Sequence, residues 1–66
     1  MQITLNGALR EIPEAWTISD LLAELNIESR YCAVERNRHV VPRETHRNVT
    51  LLAGDQIEIV TLVGGG

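Results

Sequence analysis

Thr17-Ile18-Ser19-Asp20-Leu21-Leu22-Ala23-Glu24-Leu25 is the stretch that decides how this chain folds. Its apolar residues Ile18, Leu21, Leu22 and Leu25 fall at i, i+3, i+4 and i+7, one face of an α-helix. Thr17 precedes the run, and Asp20 at the third helical position complements the positive end of the helix dipole. Trp16, just ahead of Thr17, is placed to staple onto Leu21. In a chain of 66 residues this helix must be the main lid of the core. Burying its four aliphatic side chains against a sheet contributes roughly 6 to 12 kcal/mol at most.

The residues on either side supply the sheet. Gln2 to Leu5 alternate polar and apolar, Asn6-Gly7 offers the two positive-φ positions of a tight type I′ turn, and Leu9 to Ile12 resume the alternation. That pattern predicts a β-hairpin. Beyond the helix, Tyr31 to Val34 read as a strand, Asn37-Arg38 as a turn and His39 to Val41 as a short strand closed by Pro42. Residues 43–47 read as a loop or a single helical turn. Val49 to Leu52 predict another short strand, Ala53-Gly54-Asp55 a turn, and Gln56 to Val63 a final strand of high β-propensity. A hairpin, one amphipathic helix and further strands imply an α+β domain, the helix crossing one face of a mixed sheet and the other face uncovered. On the final strand, Ile57, Ile59, Thr61 and Val63 share one face, and Glu58, Val60 and Leu62 the other. With Ile57 and Ile59 beneath the helix, Val60 and Leu62 turn outward as candidate partner-binding residues; the other reading folds Leu62 over the sheet edge, where it is simply packed.

Composition sets further bounds. Apolar residues make up 44% of the chain and charged residues 23%, as in an ordinary globular domain. One domain of this length buries only about 60% of the surface its unfolded chain exposes, which leaves no room for a cleft walled by two domains. The single cysteine, Cys32, has no internal disulfide partner, so a reducing cytoplasm is the expected compartment. Met1-Gln2-Ile3-Thr4-Leu5 lacks a leader pattern, and no apolar run approaches membrane-spanning length. A soluble, unprocessed protein is expected. The net charge of −3 disfavours general nucleic-acid binding. Arg30, Arg36, Arg38, Arg43 and Arg47 nevertheless cluster between residues 30 and 47, against only Glu35 and Glu44 there. This basic segment is either a solvated loop and edge strand or a docking surface for an acidic partner or phosphate, with Arg36 and Arg43 the candidate contacts.

No side-chain constellation supports catalysis. Phosphate-loop, dinucleotide, Cys-x-x-Cys and His-Glu-x-x-His patterns are missing from the chain. Cys32, His39 and His46 do not have the spacing of a metal site, and the histidines read as ordinary surface residues. Cys32 alternates with Ala33 and is expected to point with Val34 into the core rather than to act as a nucleophile. The informative feature is the end: Val60-Thr61-Leu62-Val63 runs directly into Gly64-Gly65-Gly66. Three glycines cannot anchor to a core, so a domain over 1–63 with a mobile tail over 64–66 is expected. An α-carboxylate is ionised and inert at neutral pH until it is activated, and adenylation by ATP activates it. Glycine suits that task, because no Cβ obstructs the approach of either reactant in a narrow channel. The absence of lysine has two readings: an activated acyl group finds no side-chain amine on another copy, or the genome favours arginine codons.

Over its whole length the chain resembles the ThiS family of thiamine biosynthesis. The resemblance is carried by the Asn6-Gly7 turn, Ile18-Ser19-Asp20-Leu21-Leu22, Ala33-Val34-Glu35-Arg36-Asn37 and Val40-Val41-Pro42-Arg43-Glu44. It ends on Gly54-Asp55-Gln56-Ile57-Glu58-Ile59 and Val63-Gly64-Gly65-Gly66. It departs at His46, where many members have an aromatic residue such as Trp. The resemblance implies a ubiquitin-like β-grasp fold and a sulfur carrier that is a co-substrate rather than an enzyme. The carboxylate of Gly66 would be adenylated by a ThiF-like activating enzyme and converted to a thiocarboxylate by a sulfur-donor system, with Gly64 and Gly65 threading the tail. The sulfur would then pass to thiazole phosphate synthase, ThiG. The chain itself would bind no cofactor, ATP being used by the activating enzyme. Two alternatives have the same outline: a carrier for molybdopterin or tRNA thiolation, and a ubiquitin-like modifier or interaction module without sulfur chemistry.

Overall fold

The computed structural model describes residues 1–62. Strands β1 (Gln2–Leu5) and β2 (Ala8–Glu11) form the expected hairpin, with Asn6 and Gly7 at φ 49° and 85° in the turn. Helix α1 (Ile18–Glu24) follows, then a 3-10 turn over Ser29–Tyr31, β3 (Cys32–Arg36), β4 (His39–Val40), a second 3-10 turn over Arg43–Thr45, and β5 (Gln56–Thr61). The sheet order is β2-β1-β5-β3-β4. The last strand therefore occupies the centre, parallel to β1 and antiparallel to β3.

Local chemistry stops α1 at both ends. The Thr17 hydroxyl accepts from the Asp20 N–H at 3.2 Å while the Asp20 carboxylate accepts from the Thr17 N–H at 2.8 Å, a reciprocal capping box. At the other end Asn26 takes a left-handed φ of 58°. Its N–H bonds to the Ala23 carbonyl and that of Ile27 to the Leu22 carbonyl, which closes a Schellman motif. Ile18, Leu21 and Leu22 are buried, and Leu25 packs at the margin of the core. They meet Ile3, Ile12, Val34, Ile57 and Ile59 from one face of the sheet. Cys32 belongs to the same cluster, as its alternation with Ala33 requires.

The chain departs from the sequence reading in one element and several bounds. Val49 to Leu52 is not a strand of the sheet. Thr50 forms an isolated antiparallel bridge with Thr17, the Leu51 N–H bonds to the Trp16 carbonyl, and Ile18 N–H bonds to that of Val49. The segment has β-forming residues, but it lies against the entry to α1 and buries Leu51, so its backbone partners are there. Tyr31 ends a 3-10 turn rather than starting a strand, and β5 is described to Thr61, with Val63 outside the described residues.

Both hairpins turn through two residues of positive φ. The first uses Asn6-Gly7; the second uses Asn37 and Arg38, at φ 51° and 72°. A side chain at a left-handed position costs about 1 to 2 kcal/mol, and glycine removes that cost at some loss of unfolded-state entropy. Arg38→Gly is therefore expected to stabilise the domain by about 0.5 to 1 kcal/mol, read as a higher urea midpoint with an unchanged slope.

Candidate functional site

The described chain reaches Leu62, just past the end of the central strand. Thr61 stands opposite Cys32 and Val60 opposite Ala33, and the Leu62 N–H donates to the Tyr31 carbonyl at 2.7 Å. Backbone bonds to β3 thus hold β5 to its end. On the β1 side the pairing is shorter, with Thr4 opposite Gln56 and Leu5 opposite Ile57. The Asn6 side chain lengthens it: Oδ1 accepts from the Ile59 N–H at 2.8 Å and Nδ2 donates to the Ile59 carbonyl at 3.3 Å.

The start of β5 is fixed by Asp55. Its carboxylate accepts from Leu52 N–H at 2.8 Å, Arg36 Nε at 2.8 Å and Asn37 Nδ2 at 3.1 Å. Asn37 also binds β5 directly: Oδ1 accepts from the Gln56 N–H at 2.9 Å, and its own N–H donates to the Gln56 carbonyl. Burial alone would push the Asp55 carboxyl up; the Leu52 N–H, Arg36 and Asn37 outweigh it and hold it below the ordinary carboxylate value.

Val60 and Leu62 are 61% and 59% exposed, on the side away from the helix, as the alternation along β5 predicts. Arg36 does not join them. It stands opposite buried Ile57, on the helix side of the sheet, and its guanidinium is committed to Asp55. Arg43 is exposed on the 3-10 turn that follows β4. The basic segment is therefore not one uniform surface. Gly64, Gly65 and Gly66 lie outside the described residues.

Cys32 is buried, and its Sγ donates to the Ser29 carbonyl at 3.7 Å. Burial pushes its thiol up, so at neutral pH it is protonated and a poor nucleophile. His46 corrects the sequence reading. It is 2% exposed rather than a surface residue. The Val41 carbonyl can only accept, so Nε2 at 3.1 Å carries the hydrogen there, and Nδ1 shares a hydrogen bond with the Ser29 hydroxyl at 3.2 Å. Its carbonyl accepts from Ser19 N–H in the first turn of α1. The imidazole thus fills, with its polar atoms satisfied, a position where the resemblance leads one to expect a larger aromatic ring. Among the described residues, no three His, Cys, Asp or Glu side chains converge as metal ligands, and no helix is long and apolar enough to cross a membrane.

A five-stranded mixed sheet with one helix across a single face, and β5 in its centre, is a ubiquitin-like β-grasp domain. A model of the ThiS family matches residues 3–66, and the chain belongs to that family. It is 46% identical over 65 residues to the sulfur carrier protein ThiS of Bacillus subtilis, covering 97% of this chain and 98% of that protein. It is also 41% identical over 66 residues to a thiazole synthase of Paramagnetospirillum magneticum, where it spans only 20% of that protein's length. The crystal structure of a thiamine biosynthesis protein (ThiS) from Geobacter metallireducens matches with a TM-score of 0.85 at 32% identity, each chain covered in full.

The three donors on Asp55 give a prediction with a definite sign. A carboxyl whose folded pKa is depressed contributes its full stability above the unfolded value near 3.9, and that contribution is lost as pH falls through the lower folded value. Asp55→Asn should cost about 1.5 to 3 kcal/mol at pH 7, because Arg36 loses its charged partner. The wild-type protein should lose stability below about pH 4, while the variant's urea midpoint should fall less steeply over the same range.

Proposed function

We propose that this chain is a sulfur carrier for thiazole formation in thiamine biosynthesis, acting through the carboxylate of Gly66 as a protein co-substrate. The observation that carries this reading is the family match, which runs through the glycines to residue 66. In the first step a carboxylate oxygen of Gly66 attacks the α-phosphorus of ATP on a ThiF-like adenylating enzyme, and pyrophosphate leaves. A sulfide-equivalent nucleophile from a donor system then attacks the acyl carbonyl and expels AMP, which takes the oxygen with it. The product is a thiocarboxylate, whose sulfur passes to a ThiG-like thiazole synthase. That part of the reading is supported by the relatives named thiazole synthase, which include a segment similar to this whole chain.

The domain contributes position rather than catalysis. Central β5 is fixed by Asp55 at one end and by the Tyr31 carbonyl at the other, which supports a role as a rigid base for a partner's grip. Val60 and Leu62 are the apolar residues of that surface, and Arg43 is a peripheral charge. Gly64 and Gly65, without Cβ atoms, let the acyl group pass through a narrow channel. Cys32 as the sulfur-bearing group is disfavoured by its burial and its raised pKa.

Incubation with a ThiF-like enzyme, ATP and a sulfur donor should exchange one oxygen of Gly66 for sulfur, as read by intact and fragment mass spectrometry. Sulfur on Cys32 would show that the mechanism is wrong for this chain, and an isopeptide product without sulfur would assign it to modifiers. Adding one residue after Gly66 should abolish adenylation. Leu62→Ser should weaken binding to the adenylating enzyme or the synthase by about 1 to 3 kcal/mol, with a much smaller effect on the thermal midpoint. Arg43→Glu should act mainly on the association rate and its salt dependence.

A further inference from the structure

On the open face of the sheet the register sets two like charges against each other. Glu35 of β3 and Glu58 of β5 are directly opposed, and both are exposed. Opposed like charges destabilise a sheet. The ion pairs among the described residues are Met1 with Glu11, Arg30 with Glu28, and Arg36 with Asp55, so none of them relieves this repulsion. The two arginines in strands cannot do so either. Arg10 and Arg36 stand opposite buried Ile3 and Ile57, on the helix side. The acids are bordered by exposed apolar residues on the same face: Val40 opposite Glu35, and Val60 opposite Ala33 two register positions further along.

We propose that this face docks a partner protein that places an arginine or lysine side chain between Glu35 and Glu58 while its apolar neighbours cover Val60 and Leu62. The inference rests on the carrier reading and adds the chemistry of the partner to it. Directly opposed side chains have Cβ atoms about 5 Å apart, so the two carboxylates lie within reach of one guanidinium fork. A cation there converts a repulsion into charge-assisted hydrogen bonds, and the apolar border removes water from around them. The acids also give this face a negative potential that speeds encounter with a basic surface and rejects an acidic one. The partner of this face is accordingly basic, the opposite of the acidic partner that the arginine-rich segment alone suggests.

The test uses the whole chain with Glu35→Gln, Glu58→Gln and the double variant. Thermal midpoints are measured alongside sulfur loading and binding to the ThiF-like adenylating enzyme and ThiG-like synthase of the source organism, at two salt concentrations. Each single variant should raise the midpoint by a few degrees. It should also weaken binding to at least one partner by about five- to thirty-fold at low salt, with a smaller loss at high salt. A residue with a purely structural role would not move the two measurements in opposite directions. Wild-type chain that loads and binds, beside variants of equal affinity and equal salt dependence, overturns the acid-pair proposal and leaves the carrier reading standing. Wild-type chain that neither loads nor binds overturns both. Sedimentation showing that the wild-type chain self-associates and the variants do not would assign the pair to a second copy, and would also overturn the proposal.

Discussion

The Asp55 carboxylate sits almost out of water and accepts from a backbone N–H, a guanidinium and an amide. Each donor comes from a different part of the chain near the start of β5: the turn before it, the end of β3 and the β3–β4 turn. A charge so placed is tolerated only because those donors converge on it. The geometry of the whole domain follows from that convergence. Once Asp55 is seated, Gln56 is opposite Asn37 and Ile57 opposite Arg36, and the remaining β3–β5 register has no freedom to slip. A shift of one residue would turn Ile57 and Ile59 outward and bring Glu58 beneath the helix.

The centre of this sheet is the last strand of the chain, so its pairing on the β1 side is parallel and spans everything from the hairpin to Gly54. Parallel pairing here covers only two residue pairs. Asn6, already required by the turn for its left-handed backbone, replaces a further strand residue with its side-chain amide on Ile59. Asn37 does the same work at the opposite end of β5, also from a left-handed turn position. The two hairpin turns are therefore fastenings for the central strand as well as reversals of the chain. Among the described residues a single α-helix packs against the sheet, on one face, so such fastening matters.

The features legible in the sequence were those with a period or a fixed local chemistry. The i, i+3, i+4, i+7 spacing marked α1, Asn6-Gly7 marked the first turn, and the alternation along β5 sorted Ile57 and Ile59 from Val60 and Leu62. Those signals come from neighbours in the chain, and the folded environment does not overrule them. Val49 to Leu52 misled because β-propensity reports a preference for extended backbone and says nothing about which segment will pair with it. His46 misled for a related reason. His46 is a core residue because the Ser29 hydroxyl and the Val41 carbonyl stand at its two nitrogens, and the first of these comes from 17 positions away in the chain. The pairing of Arg36 with Asp55 was hidden in the same way: the segment was legible as basic, while the engagement of one of its charges within the domain depended on a residue 19 positions away.

Burial ends before β5 does. Ile59 is the last of the described residues within the core; Val60, Thr61 and Leu62 are exposed, including Thr61 on the helix side. These three residues are positioned by the ladder to β3 and the bond to the Tyr31 carbonyl, which depend on backbone atoms common to all residues but proline. Their side chains are consequently free of the folding constraint that governs Ile57 and Ile59. Among the described residues the packed face of the sheet stops short of its end, so that end is fixed by backbone bonds while the Val60 and Leu62 side chains stay exposed and under no packing constraint from the fold.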